Sequence, residues 1–174
     1  MIRYPLTIFL SAFLLFQVQP LIGKVVLPWF GGSPAVWAAC MLFFQILLLG
    51  GYVYAHGLNA WLKPRAQAIV HFGLLAGSLW LLPIAANTDY RQRIEGSPTW
   101  QILALLTITV GAPYFLLSAT GPLLQAWFAK THSRSPYRLY ALSNVGSLLA
   151  LLSYPFIVEP RLKLGEQTSN WSWG

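Results

Sequence analysis

FQVQPLIGKVVLPWFGGSPAVW, residues Phe16–Trp37, joins two long apolar runs, one ending near Ile22 and one beginning at Ser33. Pro20, Pro28 and Pro34 stand in it with Gly23, Gly31 and Gly32. Proline removes a backbone donor and glycine is costly inside a helix, so the stretch reads as a hinge rather than as part of one unbroken helix. Lys24 is the only formal charge between Tyr4 and Leu62. Two apolar segments long enough to cross a bilayer, joined by such a turn, define a helical hairpin in a membrane.

Composition points the same way. The 174-residue chain is 56% hydrophobic and 9% charged, with a mean hydropathy of +0.58. Soluble domains carry about 25% charged residues. The net charge of +7 could mean nucleic acid in a soluble protein. Here the basic residues lie in or beside the short gaps between apolar runs, the placement of membrane flanks, and no nucleic-acid partner is expected. Cys40 is the single cysteine and lies within an apolar run, which leaves no disulfide framework and no cysteine zinc site.

Working outward, five spans are expected in an all-α, polytopic transmembrane helical bundle of one domain, residues 1–174. They cover Tyr4–Ile22, Pro34–Leu62, Ala66–Ala86, Thr99–Ala129 and Leu139–Val158. The first has no small-x-small cleavage pattern after it and reads as an uncleaved helix. Lys63-Pro64-Arg65 is so short that the second and third must be antiparallel neighbours. Asn87–Pro98 is a polar loop. The fourth is broken by Gly111, Pro113, Gly121 and Pro122, so one kinked helix is expected there. Trp171 and Trp173, beside a polar stretch, read as an interfacial belt at the start of a sixth helix, as in the N-terminal part of a longer protein.

Small residues mark where helices approach closely. Gly50 and Gly51 form part of a smooth patch on the second span, and Ser143, Gly146, Ser147 and Ala150 fall at i, i+3, i+4 and i+7 on the fifth. Basic residues divide six against five if the N-terminus is cytoplasmic (Arg3, Lys63, Arg65, Lys130, Arg134 and Arg138 inside). That orientation is expected.

Phe9–His56, with its Gln-x-Gln-Pro and Pro-Trp-Phe-Gly-Gly-Ser-Pro elements, and Pro136–Pro160 (PYRLYALSNVGSLLALLSYPFIVEP) resemble the membrane region of bacterial fused proteins. These join a major-facilitator-like helical part to a C-terminal spermidine-synthase-like domain. Ala112–Ala129 fits the same pattern, and His56–Arg65 sits where major facilitators place the cytoplasmic loop between their second and third helices. The resemblance implies a partial major-facilitator-like N-terminal half in the bacterial inner membrane. Its partners would be the lipid bilayer and missing C-terminal helices or a soluble domain of the same protein.

No catalytic, cofactor or metal site is expected in this chain. Gly31-Gly32 and Gly50-Gly51 lack the strand–loop–helix context of a nucleotide loop. Asp89, Glu95, Glu159 and Glu166 lie in polar connections, and His56, His71 and His132 lack metal-ligand spacing. The candidate pathway residues are the amides within spans: Gln17, Gln19, Gln45 and Asn144, with Gln101 and Gln125. The plainer role for each is an interhelical hydrogen bond worth about 0.6 kcal/mol. Gln17 and Gln19 point to different faces, so at most one can serve a shared cavity. Three functions follow: a transporter-like domain for an unknown solute, a non-transporting anchor for an aminopropyltransferase-like domain or partner, or a piece of another permease type. No carboxylate lies within a span to hold a polycation, which disfavours polyamine transport.

Overall fold

The computed structural model of the chain describes residues 3–84, 97–131 and 137–173. Every regular element among them is helical: α1 (Arg3–Phe30), α2 (Pro34–Trp61), α3 (Pro64–Ser78), α4 (Pro98–Thr131), α5 (Tyr137–Arg161) and α6 (Leu164–Trp173). Four of these, α1, α2, α4 and α5, are long and apolar enough to cross a membrane. The third expected span is shorter than its apolar run. α3 has 15 residues and closes in a 3-10 turn at Leu79–Leu81, and Pro83 opposes helical geometry in the residue before it. At 1.5 Å per residue α3 covers about 22 Å of a hydrocarbon core of about 30 Å. The loop expected over Asn87–Pro98 falls almost wholly outside the described residues, as do residues 85–86 and the basic-loop residues 132–136.

The hinge is narrower than its prolines and glycines suggest. α1 continues through Pro20, Gly23 and Pro28 as far as Phe30. Each proline forgoes one backbone hydrogen bond, which a 28-residue helix packed on its neighbours tolerates. The turn itself is Gly31-Gly32-Ser33. Gly31 has φ +80°, a left-handed conformation that ends the helix at little cost only for glycine. Ser33 Oγ then accepts from Val36 N at 3.4 Å to cap α2, whose first residue is Pro34.

α4 is one continuous helix rather than two pieces. Its irregularity is a wide π turn at Thr107–Gly111, just before Pro113, and α5 has the same device at Tyr154–Val158 around Pro155. A wide turn absorbs a missing donor without ending the helix. α6 corrects the reading of the tail. Trp171 is not a surface anchor: its Nε1 donates to the Leu14 carbonyl of α1 at 2.8 Å, and the ring is buried, whereas Trp173 is exposed.

The main core is built from α1, α2, α4 and α6, with Val18, Leu21 and Ile22 against Phe43, Phe44, Leu105, Leu106, Tyr114 and Trp171. Two close seams frame it. A Cβ on Gly51 of α2 would collide with Ser118 Oγ and lie 3.0 Å from the Phe115 carbonyl of α4. A Cβ on Gly146 of α5 would lie 2.8 Å from the Phe9 carbonyl of α1. The small-residue stripe of α5 therefore lies on α1, with Gly146 and Ala150 buried, while Leu148, Leu149, Leu151 and Leu152 are exposed.

The seams belong to a repeat that the sequence carries faintly. Phe9-Leu10, Gln19 and Lys24 in α1 recur at one constant offset as Phe115-Leu116, Gln125 and Lys130 in α4. Tyr54, Leu62-Lys63 and Gln67 recur, also at constant offset, as Tyr154, Leu162-Lys163 and Gln167. The interactions pair accordingly. Lys24 meets Glu159 near the C-terminal ends of α1 and α5 (3.0 Å), and Lys130 meets Asn59 near those of α4 and α2 (2.8 Å). Gln67 Nε2 caps the Leu62 carbonyl at 2.8 Å, and Gln167 Nε2 caps Leu162 at 2.7 Å. The Tyr4 and Phe128 rings, 5.8 Å apart, place the end of α4 beside the start of α1. Two three-helix units, α1–α3 and α4–α6, thus face each other in opposite directions.

Candidate functional site

A cavity of about 490 Å³ opens among α1, α2, α4 and α5. Its walls include Ser11, Leu15 and Phe16 of α1, Tyr52 of α2, Ser118, Gly121, Pro122 and Gln125 of α4, and Tyr140, Ser143 and Asn144 of α5. Gly121 and Pro122 leave room here, because neither presents a long side chain. Among the described residues the polar lining is uncharged: hydroxyls and two amides. Ser11 and Ser118 donate to carbonyls of their own helices, Ile8 and Phe115, so toward the cavity they offer only acceptor lone pairs.

Gln125 is the anchor of this surface. It is only 7% exposed, lines the cavity, and its amide makes no hydrogen bond among the described residues. The amide is not among the buried atoms left unpaired, so it is open to the cavity, where water or a ligand can supply its partner. Asn144 shares the cavity wall from an exposed position on α5. Ala129 near the end of α4 and Tyr140 near the start of α5 place the mouth toward the end of the bundle that holds Tyr4.

The other candidate amides are dispersed. Gln19 Nε2 donates to the Tyr114 hydroxyl at 3.1 Å, tying α1 to α4 deep in the core. Gln17 lines a separate cavity of about 260 Å³ among α1, α5 and α6, with Gln167 and Asn170. Gln45 is exposed on α2 and Gln101 half-buried near the start of α4. Gly50, on the smooth patch of α2, faces the Phe115 ring beside the Gly51 seam and takes no part in the cavity wall. Of the amides proposed from the sequence, the structure brings Gln125 and Asn144 to one cavity and separates the rest.

Chemically the cavity can accept and donate hydrogen bonds, but among the described residues it offers no carboxylate, lysine or histidine for acid–base work. No cluster of three or more metal-ligating side chains occurs among the described residues. The polar lining residues that sequence reasoning passed over are Ser11, Tyr52, Ser118 and Tyr140. Each sits in an apolar context where spacing alone does not separate a cavity wall from a lipid-facing surface. Comparison with protein-family models, curated proteins and solved structures gives no match.

Proposed function

We propose that this bundle is the transporter-like membrane domain of a fused major-facilitator/spermidine-synthase-like protein, and that its cavity is part of a site for an uncharged, hydrogen-bonding solute. The observation that carries this is Gln125, whose amide lies on the wall of a cavity of about 490 Å³ among span-length helices, open to it and without a partner among the described residues. A bundle serving only as an anchor gains nothing from a cavity with an amide open to it, whereas a solute site uses both. Two inverted three-helix units around a polar cavity are an arrangement transporters use, which supports the same reading. Among the described residues the lining holds hydroxyls and amides and no carboxylate, which fits a neutral solute and not a polyamine. With the N-terminus cytoplasmic, the mouth of the cavity faces the inside of a bacterial inner membrane.

The test is water access. In a Cys40→Ala background, Ser143→Cys should react with a small membrane-impermeant thiol reagent in inside-out vesicles, and Leu149→Cys on the exposed face should not. Ser143→Cys inert from both sides would mean a dry bundle and favour the anchor. Reaction only in right-side-out vesicles would reverse the orientation.

A further inference from the structure

The two three-helix units differ where their third helices dock. In the second unit the docking groups find partners: the Tyr154 hydroxyl donates to Gln167 Oε1 at 2.9 Å, and Trp171 Nε1 to the Leu14 carbonyl. In the first, Gln67 Oε1 is occupied by Trp127 Nε1 at 2.5 Å, and the Tyr54 hydroxyl is left without a partner. His71 stands in the place of Trp171, and Thr120 in that of Leu14, at the same two offsets.

His71 is 2% exposed, and its Nε2 lies 3.1 Å from Thr120 Oγ1. The Thr120 hydroxyl already donates to the Leu116 carbonyl at 2.9 Å, so its oxygen must accept. Nε2 therefore carries the hydrogen and Nδ1 a bare lone pair. Nδ1 and the Tyr54 hydroxyl are the two buried side-chain nitrogen or oxygen atoms left unpaired among the described residues, on rings whose centroids are 6.0 Å apart.

We propose that His71 Nδ1 is a proton-binding site that governs whether α3 stays docked on α4. The proton comes from water, adds to the Nδ1 lone pair and breaks no bond in the chain. The imidazolium so formed is a buried charge without a counter-charge, which is costly. α2 faces it with Tyr54, α4 with Thr120, and its own helix with Gln67 and Phe72. No carboxylate occurs on α2, α3 or α4, and His56 of α2 is exposed. Lys63 and Arg65 at the start of α3, and Lys130 at the end of α4, are cations that oppose a further positive charge.

α3 is poorly placed to withstand that charge. Its buried residues are Gln67, His71 and Ser78, all polar. Gln67 and His71 bond to Trp127 and Thr120 of α4, and the ring contact beside them is the exposed Phe72 on Trp127, so hydrogen bonds carry much of its docking. In lipid no hydrophobic drive replaces them. Proton uptake should loosen α3, while α6, with an indole at the equivalent position, stays docked. The docking of α3 does not depend on transport.

The experiment uses the full chain in lipid nanodiscs, carrying His56→Gln and His132→Gln so that His71 is the sole histidine. Nitrogen NMR should show the Nε2–H tautomer near about pH 8 and the imidazolium on acidification toward about pH 5. Amide exchange over Pro64–Ser78, taken relative to Pro34–Trp61 to cancel the intrinsic pH effect, should rise roughly tenfold in step. His71→Trp should abolish that rise. A ring that stays neutral to about pH 5 would overturn the proposal, as would an imidazolium that leaves the exchange ratio unchanged. If His71→Trp does not fold, the NMR titration and exchange ratio decide the matter alone.

Discussion

α3 and α6 begin alike and end differently. Each opens after a Leu-Lys pair, and each is capped by a glutamine whose Nε2 returns to the leucine carbonyl. α6 then buries Trp171 against α1, while α3 buries His71 against α4 and leaves two polar atoms unpaired. A repeated backbone plan thus sets where a helix docks, and one or two side chains decide how firmly. The same contrast recurs at the helix ends, where Lys24 has a carboxylate partner and Lys130 an amide.

The seams common to both units should give the largest effects. Gly146→Leu places its side chain against the Phe9 carbonyl, a backbone atom that cannot rotate away. Overpacking of this kind costs about 1–3 kcal/mol, and the detergent-solubilised melting temperature should fall. Gly51→Leu should fall comparably, because both Ser118 and the Phe115 carbonyl obstruct it. Leu149→Ile on the exposed face serves as the silent control. Equal melting temperatures for Gly146→Leu and wild type would break the equivalence of the seams.

Next come the caps. Gln167→Leu strands the Tyr154 hydroxyl, and an unsatisfied buried group costs about 1–3 kcal/mol. Tyr154→Phe combined with Gln167→Leu should recover part of that loss. Tyr54→Phe, by contrast, removes a hydroxyl that has no partner, and stability should hold or rise slightly. A melting temperature that drops on Tyr54→Phe would show that the hydroxyl is engaged after all.

Gln125→Leu isolates the cavity. Removing an unpaired amide should leave thermal stability unchanged or raised while reducing labelling of Ser143→Cys by the hydrophilic reagent. A clear loss of stability would make Gln125 a structural hydrogen-bonding residue.

The smallest effect concerns the charged ends. Glu159→Gln should cost no more than about 0.5–1 kcal/mol and Asn59→Glu should gain no more, because exposed pairs are screened. Both differences should shrink on raising salt, measured as melting temperatures at two ionic strengths.

Several features were legible because they are local. Gly31-Gly32-Ser33-Pro34 carries its own turn and cap, and apolar runs of about 20 residues or more are recognisable as long enough to cross a bilayer. Pro20 and Pro28 misled for a complementary reason. Proline signals a lost donor, but whether a helix survives depends on what packs around it. The cavity was only half legible. Gln125 and Asn144 were visible as amides in apolar runs, but so were Gln17, Gln19 and Gln45, and nothing local separates a residue facing a cavity from one bonded to Tyr114 or exposed.

By itself, then, the sequence determined a helical chain with long apolar elements, the turn at Gly31–Ser33, and the small-residue stripe on α5. These depend on length, polarity and backbone freedom, which neighbouring residues settle among themselves. Only the tertiary structure decided that the stripe rests on α1, that Trp171 is buried, that α3 is short and polar-docked, and that His71 lies against Thr120 and Tyr54. Those outcomes depend on pairings between residues far apart in the chain. In a bundle whose surfaces are apolar on nearly every side, hydrophobicity alone does not choose among such pairings; close approach at glycine and the matching of donors to acceptors do.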